Sequence, residues 1–461
     1  MDKYNNFLQK KIYTAIPSGF DISLEKLNPL LFNWQKVLTK WALARGRAAL
    51  FEDCGLGKTC QLLDWSNQIH KKEKKPILIL APLAVSEQTQ REGEKFRIDV
   101  NICVKDSDVK NGINITNYEK LHKFDTGKFI GIVLDESSIL KNFSGTIRNE
   151  IIDRFQKTKY RLACTATPAP NDFMELGNHS EFLGVMTRSE MLSMFFINDT
   201  THTGTWRLKG HVKDNLFWKW MASWAIMINK PSDIGFNDGG FKLPEIEYHE
   251  HIIKSKVKPK RSIFLPIAAT LDERRKVRRE TVEIRCQAAA DIINQTDDRW
   301  ICWVNLNPEG EAITKKVDHI KEVAGRHSND IKINRMIGFA KGDLMRIATK
   351  PKIAGLGMNW QICNKAAFIG LSDSWEQLYQ AVRRIWRFGQ KKKVDIHIFI
   401  EEREGAVLKN IKRKDTQAKL MTENMVNNTK DITKRGLEQS KKSFVDYLPN
   451  KKMRLPKWII G

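Results

Sequence analysis

Short, largely apolar segments alternate with helical stretches along most of this chain. The clearest, residues 76–82, has five apolar residues between two prolines. A segment without polar positions is buried on both faces, and such strands separated by helices are typical of a parallel sheet covered by helices. Similar segments lie at residues 129–134, 160–165, 300–304, 344–349, 366–370 and 394–400. The pattern predicts an α/β fold with two successive sheets.

A change of composition between these sheets predicts the domain boundaries. Residues 1–184 form a first lobe with a helical lead-in, and residues 185–262 form a tryptophan-rich, mostly helical insertion. The second lobe takes residues 263–402, and a basic tail takes residues 403–461. The insertion holds Trp206, Trp218, Trp220 and Trp224, which we expect to form its core rather than to stack on bases.

Charge and cysteine usage restrict the class of partner and compartment. The 461 residues include 78 Lys and Arg against 54 Asp and Glu, a formal net charge of +24. This balance favours a polyanion such as nucleic acid, although a basic protein without such a partner would look the same. The chain has no apolar run long enough for a membrane span and no signal-peptide pattern at its start, so we expect a cytoplasmic protein without a membrane partner. Seven scattered cysteines without a CxxC pair predict reduced, packed thiols.

A glycine-rich turn follows the apolar residues 48–51 and precedes a helical stretch. A turn between a strand and a helix points backbone N–H groups at phosphate oxygens, and here that turn contains Gly55, Gly57, Lys58 and Thr59. In that arrangement Lys58 reaches the β- and γ-phosphates, and the Thr59 hydroxyl ligates Mg²⁺. Glu52 replaces the first glycine of the strict pattern, so the turn alone also fits a chance occurrence.

Two acids end the apolar segment 129–134. Asp135 and Glu136 fit a metal-binding carboxylate and a carboxylate that activates water. A solvated turn is the alternative. The phosphate-loop pattern upstream favours the catalytic interpretation.

Two arginines three residues apart lie near the end of the second lobe. A helix would place Arg384 and Arg387 on one face, aimed at the charge on a transferred phosphoryl group. A basic surface helix is the alternative for this segment taken alone.

Taken together and in this order, the motifs resemble those of superfamily-2 helicases, specifically the Swi/Snf-type double-stranded DNA translocases. The resemblance covers roughly residues 25–400, and the chain looks most similar to helicase-like proteins of phages and prophages. The segments that resemble motifs I, Ia, Ib, II, III, V and VI are residues 53–59, 81–83, 116–118, 135–142, 165–168, 349–359 and 380–390.

The resemblance implies two RecA-like lobes that hydrolyse ATP with Mg²⁺ in the cleft between them. The catalytic residues would be Lys58, Asp135, Glu136, Arg384 and Arg387. The metal would be bound by Thr59 and Asp135. The implied nucleotide contacts are Gln35, which would read adenine, and Gly55, Leu56, Gly57, Lys58, Thr59 and Gly357. The implied nucleic-acid contacts are Pro82, Thr116 and Asn117.

The resemblance also implies a partner, and three functions remain open. The first is a translocase on double-stranded DNA, for which the basic residues 254–261 are further candidate contacts. The second is a helicase acting on RNA or single-stranded DNA. The third is a DNA-binding adaptor subunit of a restriction or phage–host conflict system. In a phage-encoded protein the compartment would be the host cytoplasm.

Three positions depart from the family pattern. Ser138 replaces a larger polar residue in motif II, which leaves the coupling of hydrolysis to movement open. Arg383 and Trp386 replace the acidic and histidine residues familiar from motif VI of chromatin remodellers.

Overall fold

Two parallel β-sheets organise the chain in this computed structural model. The structure describes residues 15–82, 85–141, 145–170, 172–199, 205–209, 216–254, 271–354 and 358–441. The predicted fold class, two parallel sheets flanked by helices, is confirmed. Leu83, Asn142, Gly357 and residues 255–261 lie outside the described residues.

The first sheet has seven strands in the order β3-β4-β2-β5-β6-β1-β9, all paired in parallel. Alternate residues of each strand enter separate cores: Ile77 and Ile79 pack on one face, and Leu78 and Leu80 on the other. Both faces are therefore covered, as the apolar segments predicted. The strands are β1 (Arg47–Glu52), β2 (Ile77–Ala81), β3 (Val100–Ile102), β4 (Ile113–Asn117), β5 (Gly131–Asp135), β6 (Tyr160–Thr165) and β9 (Ala225–Ile228).

Helices and one hairpin surround this sheet. The hairpin pairs β7 (Phe196–Asp199) with β8 (Thr205–Leu208) in antiparallel register. The helices are α1 (Asn33–Arg45), α2 (Lys58–Glu73), α3 (Ser86–Lys95), α4 (Thr146–Phe155), α5 (Leu176–Leu183), α6 (Arg188–Phe195) and α7 (Leu216–Ala222).

The second sheet has six strands in the order β10-β15-β14-β11-β13-β12, also parallel throughout. Its strands are β10 (Ile246–Ile253), β11 (Trp300–Val304), β12 (Ile320–Val323), β13 (Arg346–Thr349), β14 (Lys365–Ile369) and β15 (Val394–Glu401). Its helices are α8 (Leu271–Glu280), α9 (Val282–Ile293), α10 (Asn307–Lys316), α11 (Asn329–Lys341), α12 (Pro351–Ala354) and α13 (Trp375–Val382).

The expectation of a separate, mostly helical insertion at residues 185–262 is wrong for the residues described there. They include four strands, of which β9 pairs with β1 in the first sheet and β10 pairs with β15 in the second. The tryptophans belong to the first lobe's own core, since Trp218, Trp220 and Trp224 are buried against one face of its sheet. These three are core residues as expected, but of the first lobe and not of a separate insertion, and Trp206 packs partly buried against the same core.

The basic tail begins with one long helix, α14 (Gly405–Lys441). Its first half packs on the second lobe through Val407, Leu408 and Ile411, and Met425 and Val426 enter the core of the first lobe. These residues recur on one face, so a lysine-rich composition conceals an amphipathic helix. The helix connects the two lobes.

The cysteines are packed in the interior with one exception, as their composition predicted. All seven cysteines are free thiols, and all but Cys54 are buried. None of the described helices has the length and apolar character needed to cross a membrane.

Candidate active site

The loop between β1 and α2 has the backbone geometry expected of a phosphate-binding turn. Gly55 and Gly57 adopt φ angles of +90° and +82°, which residues with a Cβ rarely adopt. A Cβ on Gly57 would lie 2.5 Å from Gln35 Nε2, and one on Gly55 would lie 2.9 Å from the backbone nitrogen of Phe388. Both the conformation and the close packing therefore require glycine.

Lys58 opens α2 and lies beneath this loop. Its Nζ donates to the carbonyl oxygens of Glu52 and Asp53 at 2.7 and 3.3 Å. Burial acts to lower the pKa of Lys58, but the nearby Cys54, Glu136 and Glu52 outweigh it and raise that pKa. The ammonium group therefore stays charged although it is buried.

The two acids end β5 beside Lys58. Burial, reinforced by the charge of Glu136, raises the pKa of Asp135 to about 7. Glu136 has a φ of +55°, an uncommon conformation for a residue other than glycine. Its Oε2 accepts a hydrogen bond of 3.5 Å from Thr165 Oγ1, and the Tyr118 hydroxyl donates to the carbonyl of Asp135 at 2.7 Å. Hydrogen bonds thus fix the backbone of Asp135 and the side chain of Glu136 at this turn.

Arg384 and Arg387 follow helix α13 rather than lying on it. The helix ends at Val382, because Arg384 Nε donates to the Gln380 carbonyl and the Arg384 backbone N–H turns to Ala381 instead. The expectation of one helix face is therefore wrong. The two side chains still point the same way, as each donates from one guanidinium nitrogen to the carbonyl of Met358.

A cavity of about 90 Å³ collects the predicted catalytic residues. Its wall combines the phosphate loop and the two acids of the first lobe with the two arginines of the second. The predicted residues that line it are Gly55, Gly57, Lys58, Thr59, Asp135, Glu136, Arg384 and Arg387.

Gln35 and Leu56 lie beneath the loop, outside this cavity. Gln35 is 3% exposed, and its Nε2 donates to the Leu56 carbonyl at 2.8 Å while its Oε1 accepts from the Phe32 N–H. Leu56 packs in the core. Both residues support the loop here, and their contacts with a nucleotide stay predictions.

A larger cleft of about 950 Å³ lies between the lobes. Pro82, Thr116 and Asn117, the predicted nucleic-acid contacts, all line it. The Thr116 hydroxyl is already used, because it donates to the Cys103 carbonyl at 2.8 Å. Glu136 lines both this cleft and the small cavity, so the candidate catalytic and nucleic-acid sites adjoin.

The lining of the cleft carries both signs of charge. Its bases come from both lobes, namely Arg91, Lys120, Lys141, Lys332 and Lys352. Its acids are Glu87, Glu119, Glu136, Asp330 and Glu376.

Side chains that the sequence analysis did not assign join the lobes. Arg383 NH2 donates to Asp53 Oδ2 at 2.7 Å, and the Tyr379 hydroxyl donates to Asp53 Oδ1. Glu376 accepts from Lys141 and, at 3.4 Å, from Thr167 Oγ1. The only signal in the sequence was that Arg383 departs from the family pattern.

One group of side chains with the spacing of metal ligands lies apart from both cavities. Glu247, His249 and Asp395 converge on strands β10 and β15, where Lys393 pairs with Glu247. Among the described residues it is the one such group of three. None of its members lines either cavity.

A segment that lies mostly in the first lobe is similar to a known protein family. Residues 34–196 match the model of the SNF2-related domain. The matched segment contains the phosphate loop, the acids at 135–136 and the candidate nucleic-acid contacts; the two arginines lie beyond it. This part of the chain is therefore similar to the SNF2-related domain.

Two curated relatives and one solved structure are similar to this chain to different extents. A SWI/SNF-related matrix-associated actin-dependent regulator of chromatin, subfamily A-like protein 1, of Xenopus tropicalis is 32% identical over 162 residues, 33% of this chain and 17% of the relative. The Bos taurus protein of the same name is 22% identical over 81% of this chain and 43% of its own length. The Sulfolobus solfataricus SWI2/SNF2 ATPase core, solved with double-stranded DNA, is 20% identical with a TM-score of 0.42, covering 91% of this chain and 98% of that one. The chain spans less than half the length of these two curated relatives.

Proposed function

We propose that this chain is an ATPase that uses hydrolysis between its two lobes to move along double-stranded DNA. One observation carries the proposal: a single cavity is lined by Lys58, Asp135 and Glu136 of the first lobe and by Arg384 and Arg387 of the second. Phosphoryl transfer needs these groups together, since its transition state is stabilised by positioning and by positive charge.

The phosphate loop binds the nucleotide. When nucleotide binds, Lys58 Nζ exchanges its hydrogen bonds to the Glu52 and Asp53 carbonyl oxygens for contacts with the β- and γ-phosphates. The backbone N–H groups around Gly57 donate to oxygens of the same phosphates. The Thr59 side chain is partly exposed and lines the cavity, so its hydroxyl is accessible.

The acids fit a divalent cation. Burial, and after it the neighbouring charge of Glu136, raises the pKa of the Asp135 carboxyl to about 7. Thr59 and Asp135 would hold Mg²⁺, which when bound neutralises charge on the phosphate oxygens. Oxygen ligands of this kind are those that Mg²⁺ prefers in proteins.

Hydrolysis then uses one acid of the first lobe and two arginines of the second. Glu136 accepts a proton from the attacking water, and its strained backbone and the Thr165 hydroxyl fix its direction. Arg384 and Arg387 stabilise the negative charge that develops on the phosphoryl group. Because they lie on the second lobe, ATP favours a closed cleft and hydrolysis favours its opening.

The large cleft is the proposed DNA site. Lys120 lies on the first lobe, and Lys332 and Lys352 lie on the second, so a phosphate backbone crossing the cleft would meet positive charge from both lobes. The net charge of +24 and the curated relatives support a nucleic-acid partner. Acids in the same lining would repel phosphates, which favours contacts at a few defined positions over continuous charge pairing.

We also propose the functional units. The first lobe comprises residues 1–184 together with α6, the β7–β8 hairpin, and the chain from α7 to β9, whose apolar side chains enter its core. The second comprises residues 263–402 together with β10. The phage association and the cytoplasmic compartment stay predictions from sequence.

The test is steady-state ATP hydrolysis against duplex DNA, forked DNA, single-stranded DNA and RNA. Duplex DNA should stimulate hydrolysis most, and the stimulation should fall as salt rises. Lys58→Ala and Glu136→Gln should abolish turnover but leave DNA binding largely intact. Lys128→Ala, which changes a partly exposed lysine paired with Asp106, is the control that should retain turnover.

The outcomes separate the alternatives. Normal turnover in either active-site variant would overturn the ATPase assignment. A stronger response to RNA or single strands would replace the duplex translocase with the corresponding helicase. DNA binding without hydrolysis by the unmodified chain would favour the adaptor.

A further inference from the structure

Asp53, just before the phosphate loop, is held by two residues of the second lobe. Its Oδ2 accepts from Arg383 NH2 at 2.7 Å, and its Oδ1 accepts from the Tyr379 hydroxyl. Arg383 NH2 also donates to the carbonyl of Cys54, within the loop, at 2.5 Å. The three contacts join the loop to the end of α13 across 326 to 330 residues of sequence.

The partners are enclosed. The Arg383 side chain is 2% exposed and the Asp53 side chain 20% exposed. A buried, charge-assisted hydrogen bond is strong, and removing one partner leaves a buried charge without compensation. Burial alone would lower the pKa of Arg383, but the nearby Asp53, Tyr379 and Cys54 together outweigh burial and raise that pKa, so the buried guanidinium stays charged.

The two departures in motif VI belong to the same cluster. The guanidinium of Arg383 lies 4.9 Å from the centre of the Trp386 ring and 5.8 Å from that of Tyr379, within range of a cation–π interaction. Trp386 is itself fixed by its Nε1, which donates to the carbonyl of Pro244 at 2.8 Å. Arg383 and Trp386 therefore act as a matched pair, and the histidine and acid that they replace could not form this contact.

Arg384 and Arg387 flank this cluster. Arg384 directly follows Arg383 in the chain, and Arg387 directly follows Trp386. Contacts that fix Arg383 and Trp386 therefore limit the directions that the two following arginine side chains can take. The Cβ of Arg387 also lies 3.5 Å from the position of a Cβ on Gly55, which shows how closely the segment abuts the loop.

We propose that Asp53, Arg383 and Tyr379 form an interlobe latch that positions Arg384 and Arg387 over the phosphate loop. The proposal rests on the proposed ATPase function. One nitrogen of the Arg383 guanidinium donates both to Asp53 and to the Cys54 carbonyl, so we assign Arg383 as a positioning residue although it also lines the small cavity. A change in the loop when nucleotide binds reaches α13 directly through Cys54 and Asp53.

A double-mutant cycle tests the latch. Asp53→Asn and Arg383→Gln should each lower the kcat of DNA-stimulated hydrolysis at least about tenfold and change the KM for ATP little, since the arginines act in the transition state. The double variant should be no slower than the slower single variant, because both remove one interaction. The reversed pair, Asp53→Arg with Arg383→Asp, should regain part of the lost kcat.

Amide hydrogen exchange without nucleotide provides a readout independent of activity. Residues 53–59 and 379–388 should exchange faster in both single variants than in the unmodified chain. Lys365→Gln is the matched control, because it removes an ion pair with Asp298 that lies within the second lobe. It should change neither exchange in these segments nor kcat.

The results distinguish the two proposals. Additive losses of kcat, or unchanged exchange at 53–59 in both single variants, would overturn the latch. If the unmodified chain hydrolyses ATP while Lys58→Ala does not, the ATPase proposal survives such a result. If the chain does not hydrolyse ATP at all, faster exchange in the single variants would still support the contact and the ATPase proposal would fail.

Discussion

Arg384 and Arg387 direct their guanidinium groups to the same acceptor, the carbonyl oxygen of Met358, at 3.1 and 3.2 Å. The two positively charged groups therefore lie side by side, although burial disfavours the charged form of each. Burial and the charge of Arg384 lower the pKa of Arg387 to about 10. Such crowding of positive charge is useful where a strongly negative group is to be bound.

Removing either arginine should therefore slow hydrolysis with little effect on ATP binding. We expect Arg384→Ala and Arg387→Ala to lower kcat by about 10³-fold or more, in the range found for arginine fingers. Single-turnover kinetics with saturating ATP would measure the fall in the hydrolysis rate. Arg413→Ala is the control, since Arg413 contacts only neighbours on its own helix, Asn410 and Gln417, among the described residues. A loss seen in KM alone would mean that the arginines bind substrate but do not stabilise the transition state.

The buried carboxyl of Glu52 predicts a pH-dependent stability. Burial raises its pKa to about 7, against the lesser opposing effects of Lys58 and Gln61. A folded-state pKa above the unfolded value means that the stability is complete below the unfolded pKa and is lost as pH rises through 7. Glu52→Gln should therefore gain stability relative to the unmodified chain at pH 8 and less at pH 6, measured by denaturant unfolding.

Glu73→Gln is the control for that experiment. Hydrogen bonds from Lys159 and Tyr160 lower the pKa of Glu73, so its contribution should be the same at pH 6 and pH 8. An equal difference between Glu52→Gln and the unmodified chain at both pH values would show that Glu52 does not titrate in this range.

Sequence alone predicted the strands that are apolar on both faces. Strand β2 and strand β5 are fully buried, so their composition reveals them. Strand β10 is different: it lies at the edge of its sheet and each of its residues is partly or fully exposed, so no apolar run marks it. Strand β9 is only four residues long and follows the tryptophan-rich segment, where helical spacing dominated the pattern.

The residues of the site were predictable where their chemistry is local. A glycine-rich turn before a helix, and two acids after a buried strand, carry their function in neighbouring positions. The Asp53–Arg383 pair could not be found that way, because 330 residues separate its members and only the packing of the two lobes brings them together. The sequence did not predict the end of α13, because the helix ends where the Arg384 side chain donates from its Nε to the backbone carbonyl of Gln380.

The long C-terminal helix should be a structural part of the molecule. Met425 is 1% exposed in the core of the first lobe, and Leu420 on the same helix is 54% exposed. Met425→Ala should cost about 2–5 kcal/mol of unfolding free energy, as for other large-to-small core changes. Leu420→Ala should change it little. Equal effects of the two substitutions in denaturant unfolding would show that the helix does not pack on the first lobe.

The last prediction concerns the lysines of the large cleft. Lys332 and Lys352 line it from the second lobe, with Asn329 Oδ1 at 3.4 Å from Lys332 Nζ. If each contacts a phosphate, Lys332→Ala and Lys352→Ala should each reduce the slope of log Kd against log salt by about 0.9, the loss of one released counterion. Binding should weaken equally for unrelated duplex sequences, because phosphate contacts carry no base information. Lys321→Ala, an exposed lysine of the same lobe outside the cleft, should leave the slope unchanged. Should the control and the cleft variants shift the slope alike, DNA would be held by the overall charge of the lobe. The acids of the cleft lining would then have no part in choosing where DNA lies.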